Sequence, residues 1–135
     1  MRAKQHAVWS RVRLELARSH EFPEGSTRHG YVLVLPLDSD GRLDEELFHK
    51  APELCTLHRF WEGEGDALGR LKRERGGNWM IVYDPGGPAE EPIHHFARHR
   101  FVAGEYLSTR DHNGTEHVFR VVSVRPEPGL GGGKS

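Results

Sequence analysis

The chain has 135 residues, enough for one domain whose core needs no help from disulfides or metal. It carries 19 basic and 20 acidic side chains, a formal net charge of −1, so there is no global field that would attract nucleic acid or an anionic membrane. Its one cysteine, Cys55, excludes an internal disulfide and suits a reducing compartment, and no apolar run reaches a membrane-spanning length. We therefore expect a cytoplasmic protein without a membrane partner.

The domain organisation follows from the composition of the two ends. Residues 1–8 are polar and show no hydrophobic period, so we expect a flexible N-terminal arm. Residues 127–135 are rich in glycine and proline, and such a segment cannot offset its ordering entropy by burial, so we expect a disordered tail. The residues between them, 9–126, are predicted to form a single β-rich domain.

Two strands are predicted in the first third of the chain. Apolar and charged residues alternate from Trp9 to Arg18, as in a strand with one buried face and one face in water. Residues 31–35 are continuously apolar, which indicates a strand buried on both faces, and Pro36 ends its capacity to donate to a ladder. Residues 21–26 combine proline, glycine and serine and are predicted to form the connecting loop.

A polar turn and a short helix are predicted next. Residues 38–41 carry carboxylates at alternate positions before a glycine, as calcium loops do. The first and twelfth positions of an EF-hand would fall on Pro36 and Leu47, however, and neither residue is a ligand. We therefore predict an ordinary turn, followed by a helix that Asp44 caps and that ends before Pro52. This helix is expected to plug one end of the sheet.

The middle of the chain returns to strand patterns. Strands are predicted for Cys55 to Trp61, for Ala67 to Arg75 and for Trp79 to Tyr83, with Gly76-Gly77 as a hairpin turn between the last two. Residues 84–92 form a run rich in proline and glycine, which predicts a loop too polar to be buried. This loop contains the two carboxylates nearest to the histidine-rich segment that follows.

The strongest hairpin pattern lies near the end of the chain. Two β-prone runs between Glu105 and Arg125 flank Asn113-Gly114, a pair that tolerates the positive φ of a tight turn. The second run is apolar on nearly both faces, which predicts a strand inside the sheet. Residues 94–102 are predicted to be a further strand or an irregular run. The fold class is therefore mainly β: a small antiparallel barrel or curled sheet of six to seven strands with one short helix.

Five segments between residues 9 and 126 stand out together: Phe22-Pro23-Glu24-Gly25-Ser26, Arg59-Phe60-Trp61, His99-Arg100-Phe101, Gly104-Glu105-Tyr106 and His117 to Val124. With these segments the chain resembles a family of short bacterial proteins. That family has no assigned activity, so the resemblance implies a self-contained domain and gives no residue a function.

A local basic and aromatic patch is the first candidate site. Small barrels use cations to hold phosphates and aromatic faces to stack bases, so the patch predicts a protein or single-stranded nucleic acid as partner. A solvated strand face balanced by nearby acids, with its aromatics in the core, explains the same residues equally well. The residues of the predicted patch are Arg59, Trp61, Arg70, Lys72, Arg73, Arg75 and Trp79.

Histidines are the second candidate. The chain has ten, and if residues 93–99 are helical, His95 and His99 share a face at a spacing that suits one zinc ion. His117 of the hairpin could join them. Histidines that are exposed to solvent and bind no metal explain the same residues more simply.

No sequence motif names a reaction. Cys55 lies in a predicted strand without a base nearby in sequence, so we predict a buried, inert thiol. The serines lie in no nucleophile elbow, and the glycine-rich tail lacks the strand and helix of a phosphate-binding loop. The expectation is a non-enzymatic binding module. A histidine-based metal protein, and an enzyme for a small ligand whose site is assembled only in three dimensions, stay open as alternatives.

Overall fold

The structure is a computed structural model that describes residues 7–93, 96–110 and 114–127. Eight antiparallel strands form a closed barrel in which each strand pairs with the next along the chain and the last pairs with the first. A mainly β fold with one short α-helix is thus confirmed, with eight strands where six to seven were predicted. The strands are β1 (Val8–Leu16), β2 (Ser26–Leu37), β3 (Thr56–Trp61), β4 (Ala67–Arg73), β5 (Trp79–Tyr83), β6 (Glu91–Ile93), β7 (Tyr106–Arg110) and β8 (Glu116–Pro126).

The last strand lies inside the sheet, as its sequence predicts, because β8 pairs with β7 on one side and with β1 on the other. Its inward residues are Phe119 and Val121, whereas Val118 and Arg120 face water. Gly114 has the positive φ expected of the hairpin turn, and its predicted turn partner Asn113 lies outside the described residues, as do the predicted arm up to residue 6 and the tail from residue 128.

The first two strands approach each other closely at Gly30. This residue pairs with Glu15, next to the point where the register of β1 against β2 shifts. A Cβ atom on Gly30 would overlap the carbonyl oxygen of Leu14 and would lie 2.9 Å from the Phe60 ring. Only glycine fits at this position, so this close approach depends on it.

One end of the barrel, which we call the plugged end, is closed by aromatic side chains. Helix α1 (Glu45–Lys50) follows β2, and the Asp44 carboxylate accepts a hydrogen bond from the Leu47 amide, as the sequence predicts. The helix buries Phe48, whose ring centroid lies 4.9 Å from that of Trp79. Phe96, in a 3₁₀ turn (Phe96–Arg98) between β6 and β7, packs 5.1 Å from the same indole. This end of the interior is therefore apolar.

The opposite end, which we call the polar end, carries the β1–β2, β3–β4, β5–β6 and β7–β8 connections. Along β2, β3, β5 and β7, inward positions that hold Leu, Ile or Val in the middle of the barrel are followed at this end by inward positions that hold polar residues. One of them corrects a sequence prediction: Glu91 was placed in an exposed loop, but it begins β6 and is only 3% exposed. A three-residue strand is too short to leave a hydrophobic period in the sequence. The buried polar residues near this end are His29, Tyr31, Arg59, Tyr83, Glu91 and Thr109.

Candidate functional site

The centre of the polar end is the guanidinium of Arg59. Its strand, β3, alternates inward Leu57, Arg59 and Trp61 with outward residues, so the charge points into the barrel, and the residue is only 8% exposed. The guanidinium carbon lies 4.3 Å from the centroid of the Trp61 ring, a cation–π contact. One Nη1–H donates to the Glu64 carboxylate at 3.0 Å. Among the buried side-chain atoms of the described residues, only the Arg59 Nε lacks a hydrogen-bond partner.

The polar end also buries a carboxylate, that of Glu91. Tyr31 and Tyr83 both donate their hydroxyl hydrogens to the same Oε1 of Glu91, each at 2.8 Å. Burial raises the pKa of both tyrosines, and the Glu91 charge raises it further, so the hydroxyls stay protonated donors at neutral pH. Burial lowers the pKa of Arg59, but its hydrogen bond to Glu64 and its acidic neighbours outweigh burial, so the pKa is raised overall. Arg59 and Glu91 are therefore buried groups of opposite charge at the same end of the barrel, and the Glu91 charge helps to raise the Arg59 pKa.

Aromatic side chains form a rim beside Arg59 on the solvent side. Trp61 is partly exposed, and its ring centroid lies 4.6 Å from that of His29 and 5.4 Å from that of His117. His29 is buried, and its Nδ1 lies 2.6 Å from the Ser26 hydroxyl oxygen. Phe22, from the β1–β2 loop, packs on the other side of His29 at 4.8 Å. The rim leaves Arg59 reachable from the β3–β4 turn, which carries Glu64.

The buried His29 makes a testable contribution to stability. Burial lowers its pKa, and the charges of Glu62 and Arg59 act in opposite directions. As the pH falls below about 6.5, the unfolded chain takes up the proton before the folded protein does, so the free energy of unfolding falls with pH. We expect this fall, measured by urea unfolding between pH 7 and about 5, to be smaller in His29→Gln. The exposed His20→Gln should behave as the wild type, and an equal fall in the His29 variant would contradict the account.

A surface cleft of about 640 Å³ lies next to Glu64. It is formed by the β3–β4 turn and the loop after β5, and its lining runs through Glu64–Leu68 and Asp84–Pro88. A larger groove of about 940 Å³ lies elsewhere, on the outer wall beside Tyr106 and Val118. Volume alone does not make a site, because ligand sites also need convergent polar groups. The smaller cleft is lined in part by Glu64, the hydrogen-bond partner of the buried cation, so the candidate site is the polar end.

The predicted basic and aromatic patch does not form one surface. Arg70 and Lys72 face outward from the middle of β4, whereas Arg59 and Trp61 point into the polar end. Trp79 is only 2% exposed and belongs to the plugged end. Strands β3, β4 and β5 are neighbours, as expected, but adjacent residues in a strand point to opposite faces, so the cations and the indoles lie on different sides of the wall.

The two remaining cations of the patch lie at the plugged end. Arg73 ends β4 and contacts helix α1, with Nη1 3.4 Å from the Glu45 carboxylate and 3.3 Å from the His49 ring nitrogen. Arg75 lies exposed in the turn between β4 and β5. Lys72 pairs with Glu74 at 3.5 Å. The cations outside the barrel therefore lie on the solvent-exposed face of β4 and at the plugged end of that strand.

The structure does not bring together the predicted zinc ligands that it describes. His99 lies in the β6–β7 connection and contacts Phe101, whereas His117 lies near the start of β8 and contacts Trp61 at the polar end. His95 lies outside the described residues. Within residues 7–93, 96–110 and 114–127, no group of three His, Cys, Asp or Glu side chains is placed to hold a metal ion. A zinc site that uses His95 stays a prediction.

Cys55 lies just before β3 and is fully buried. Burial, together with the nearby Glu53 charge, raises the pKa of its thiol to about 12. Because the thiolate is the reactive form, we expect no reaction of the folded protein with an aromatic disulfide reagent at a pH of about 8. One equivalent should react once the chain is unfolded in urea. Stoichiometric reaction of the folded protein would contradict this placement.

Sequence comparison adds no relative to this geometry. No family model matches the chain, and neither a curated protein nor a solved structure is significantly similar to it. Among the described residues, none of the helices is long and apolar enough to cross a membrane. The function is therefore argued from the site itself.

Proposed function

We propose that the protein is a non-enzymatic binding module that takes an anionic group of its ligand at the polar end of the barrel. Arg59 supplies the positive charge, and Trp61 supplies an apolar wall beside it. The observation that carries the proposal is the incomplete pairing of Arg59: among the described residues, its buried Nε has no partner, and its ion pair is to the mostly exposed Glu64. An unsatisfied buried donor is costly, and an added acceptor would remove that cost.

The existing partner of Arg59 is easy to displace. The Glu64 side chain is 56% exposed and stands between Gly63 and Gly65, neither of which has a neighbour within 4 Å of its Cβ position. An ion pair with one partner in water contributes less than about 1 kcal/mol, so an incoming anion can replace it at small cost. Arg59 itself stays in place because its guanidinium lies against the Trp61 ring and the buried Glu91 charge attracts it.

The chemistry of the neighbouring groups favours binding over catalysis. Tyr31 and Tyr83 have raised pKa values and direct their hydroxyls to Glu91, so they serve as fixed donors and not as bases. Glu91 in turn accepts both hydroxyls and balances Arg59. These groups position one cation, and they leave its outer side for a ligand.

The surroundings also favour a small ligand or a protein side chain over a nucleic acid. Further acidic residues, Glu62, Asp66 and Asp84, are exposed in the β3–β4 turn and in the loop after β5. A chain of phosphates would meet these charges, whereas a single anionic group need only meet the cation.

The proposal is tested by titrating the protein with benzoate and with inorganic phosphate at constant ionic strength, with tryptophan fluorescence as the readout. Trp9 and Trp79 are buried, so a saturable change is expected to come from Trp61 and to disappear in Trp61→Phe. The double variant Arg59→Met with Glu91→Gln removes both buried charges and keeps an acceptor for the tyrosines. It should fold, shown by its circular dichroism, and should bind neither anion. Absence of saturable binding by the wild type would overturn the proposal.

A further inference from the structure

We infer that the anionic group taken at this site is a single carboxylate, and that the Glu64 carboxylate occupies its place in the free protein. The inference rests on the proposed function, and it names the ligand class. It is drawn from the charge balance, the hydrogen-bond geometry of Arg59 and the position of Glu64 beside the cleft.

The charge balance admits one negative charge. Inside the barrel, the buried carboxylate of Glu91 already acts electrostatically on the Arg59 cation, and Glu64 adds a second carboxylate from the turn. A ligand carboxylate that replaces Glu64 leaves this total unchanged. A phosphate group carries a charge of about −1.5 to −2 at pH 7, and the excess would lie close to Glu91 in a region of low dielectric.

The hydrogen-bond geometry of Arg59 favours a ligand carboxylate, which is not attached to the β3–β4 turn as the Glu64 carboxylate is. Glu64 makes one contact with Arg59, through Nη1, and the Nε stays without a partner. A carboxylate can accept from two N–H groups of a guanidinium at once. The protein contains this arrangement on its surface, where Nε and Nη2 of Arg11 donate to the two oxygens of Glu127 at 2.9 and 3.3 Å. The same fork on Arg59 would satisfy its Nε.

Glu64 also lies at the entrance from the cleft to Arg59. It belongs to the lining of the 640 Å³ cleft and is at the same time the partner of Arg59. When its side chain turns out to water, it frees the Nη1–H of Arg59, which it holds in the present structure. The remainder of the ligand then lies between the β3–β4 turn and the loop of residues 84–90.

The test compares acetate with inorganic phosphate, each titrated at constant ionic strength into the wild type and two variants of the same turn. Glu64→Ala removes the internal competitor. Glu62→Ala is the matched control, because Glu62 is exposed and pairs with Arg28 and not with Arg59. Affinities come from the Trp61 fluorescence change, and the Nε–H signal of Arg59 in a nitrogen–proton correlation spectrum identifies the site.

We expect acetate to bind about fivefold more tightly to Glu64→Ala than to the wild type, the size of one exposed ion pair. Glu62→Ala should change the affinity by less than about twofold, and phosphate should bind more weakly than acetate throughout. Tighter binding of phosphate, or equal gains in the two variants, would overturn the inference and leave the proposed anion site standing. Failure of both anions to move the Arg59 signal in any of the three proteins would overturn both.

Discussion

Replacing Glu91 with alanine is expected to lower the free energy of unfolding by about 3–5 kcal/mol, because the buried hydroxyls of Tyr31 and Tyr83 lose their shared acceptor. The buried Arg59 cation also loses the attraction of the Glu91 charge, which adds to the loss. Urea unfolding followed by circular dichroism measures the change.

The matched variants separate charge from hydrogen bonding. Glu91→Gln keeps an oxygen for the two tyrosines but removes the charge, so it should still destabilise the protein. Adding Arg59→Met removes the uncompensated cation, and the double variant should therefore be more stable than Glu91→Gln alone. Strictly additive losses for Arg59→Met and Glu91→Gln would show that the two groups do not interact, contrary to the account.

Gly30→Ala is expected to cost about 3 kcal/mol or more, or to prevent folding, because the added methyl group overlaps backbone of the neighbouring strand and not a movable side chain. The Leu14 carbonyl cannot withdraw without disturbing the pairing of β1 with β2, the strand pair with the most extensive contacts. The loss should appear in the midpoint of urea unfolding.

Gly65→Ala is the control for this change. Gly65 has open space around its Cβ position and a φ outside the left-handed region, so the same substitution should alter the free energy of unfolding by less than about 0.5 kcal/mol. Similar losses for the two glycines would mean that the effect at position 30 is not steric.

Local patterns in the sequence predict much of this fold. The alternation from Trp9 predicts β1, and the Asn113-Gly114 pair predicts the hairpin of β7 and β8. Asp44 predicts the start of the helix because a capping carboxylate acts on amides only three residues away. These features depend on neighbours in sequence, so a single chain is enough to find them.

The site could be predicted only in part. Arg59 falls at an inward position of β3, between Leu57 and Trp61, and a charge at such a position is a signal in the sequence. Glu91 gives no such signal in the sequence, because β6 is too short to show a hydrophobic period. The residue also lies 32 positions after Arg59 along the chain. Barrel closure brings the two together, and closure is a long-range property.

The residues of the predicted patch lie on different faces for a related reason. Proximity in sequence places Arg70, Lys72 and Trp79 on neighbouring strands, and the structure agrees. The direction of each side chain depends on the register, however, and a shift of one residue moves it to the other face. The register places Trp79 inside and the two cations outside.

A crystal structure of the protein grown in acetate tests the central claim, the anion site on Arg59, most directly. The account predicts an acetate whose two oxygens accept from the Arg59 guanidinium, one of them from Nε, with the Glu64 side chain turned out to water and Arg59 still against Trp61. A structure in which Glu64 keeps its hydrogen bond to Arg59 and the Nε stays without a partner, at an acetate concentration that saturates the fluorescence change, would contradict it.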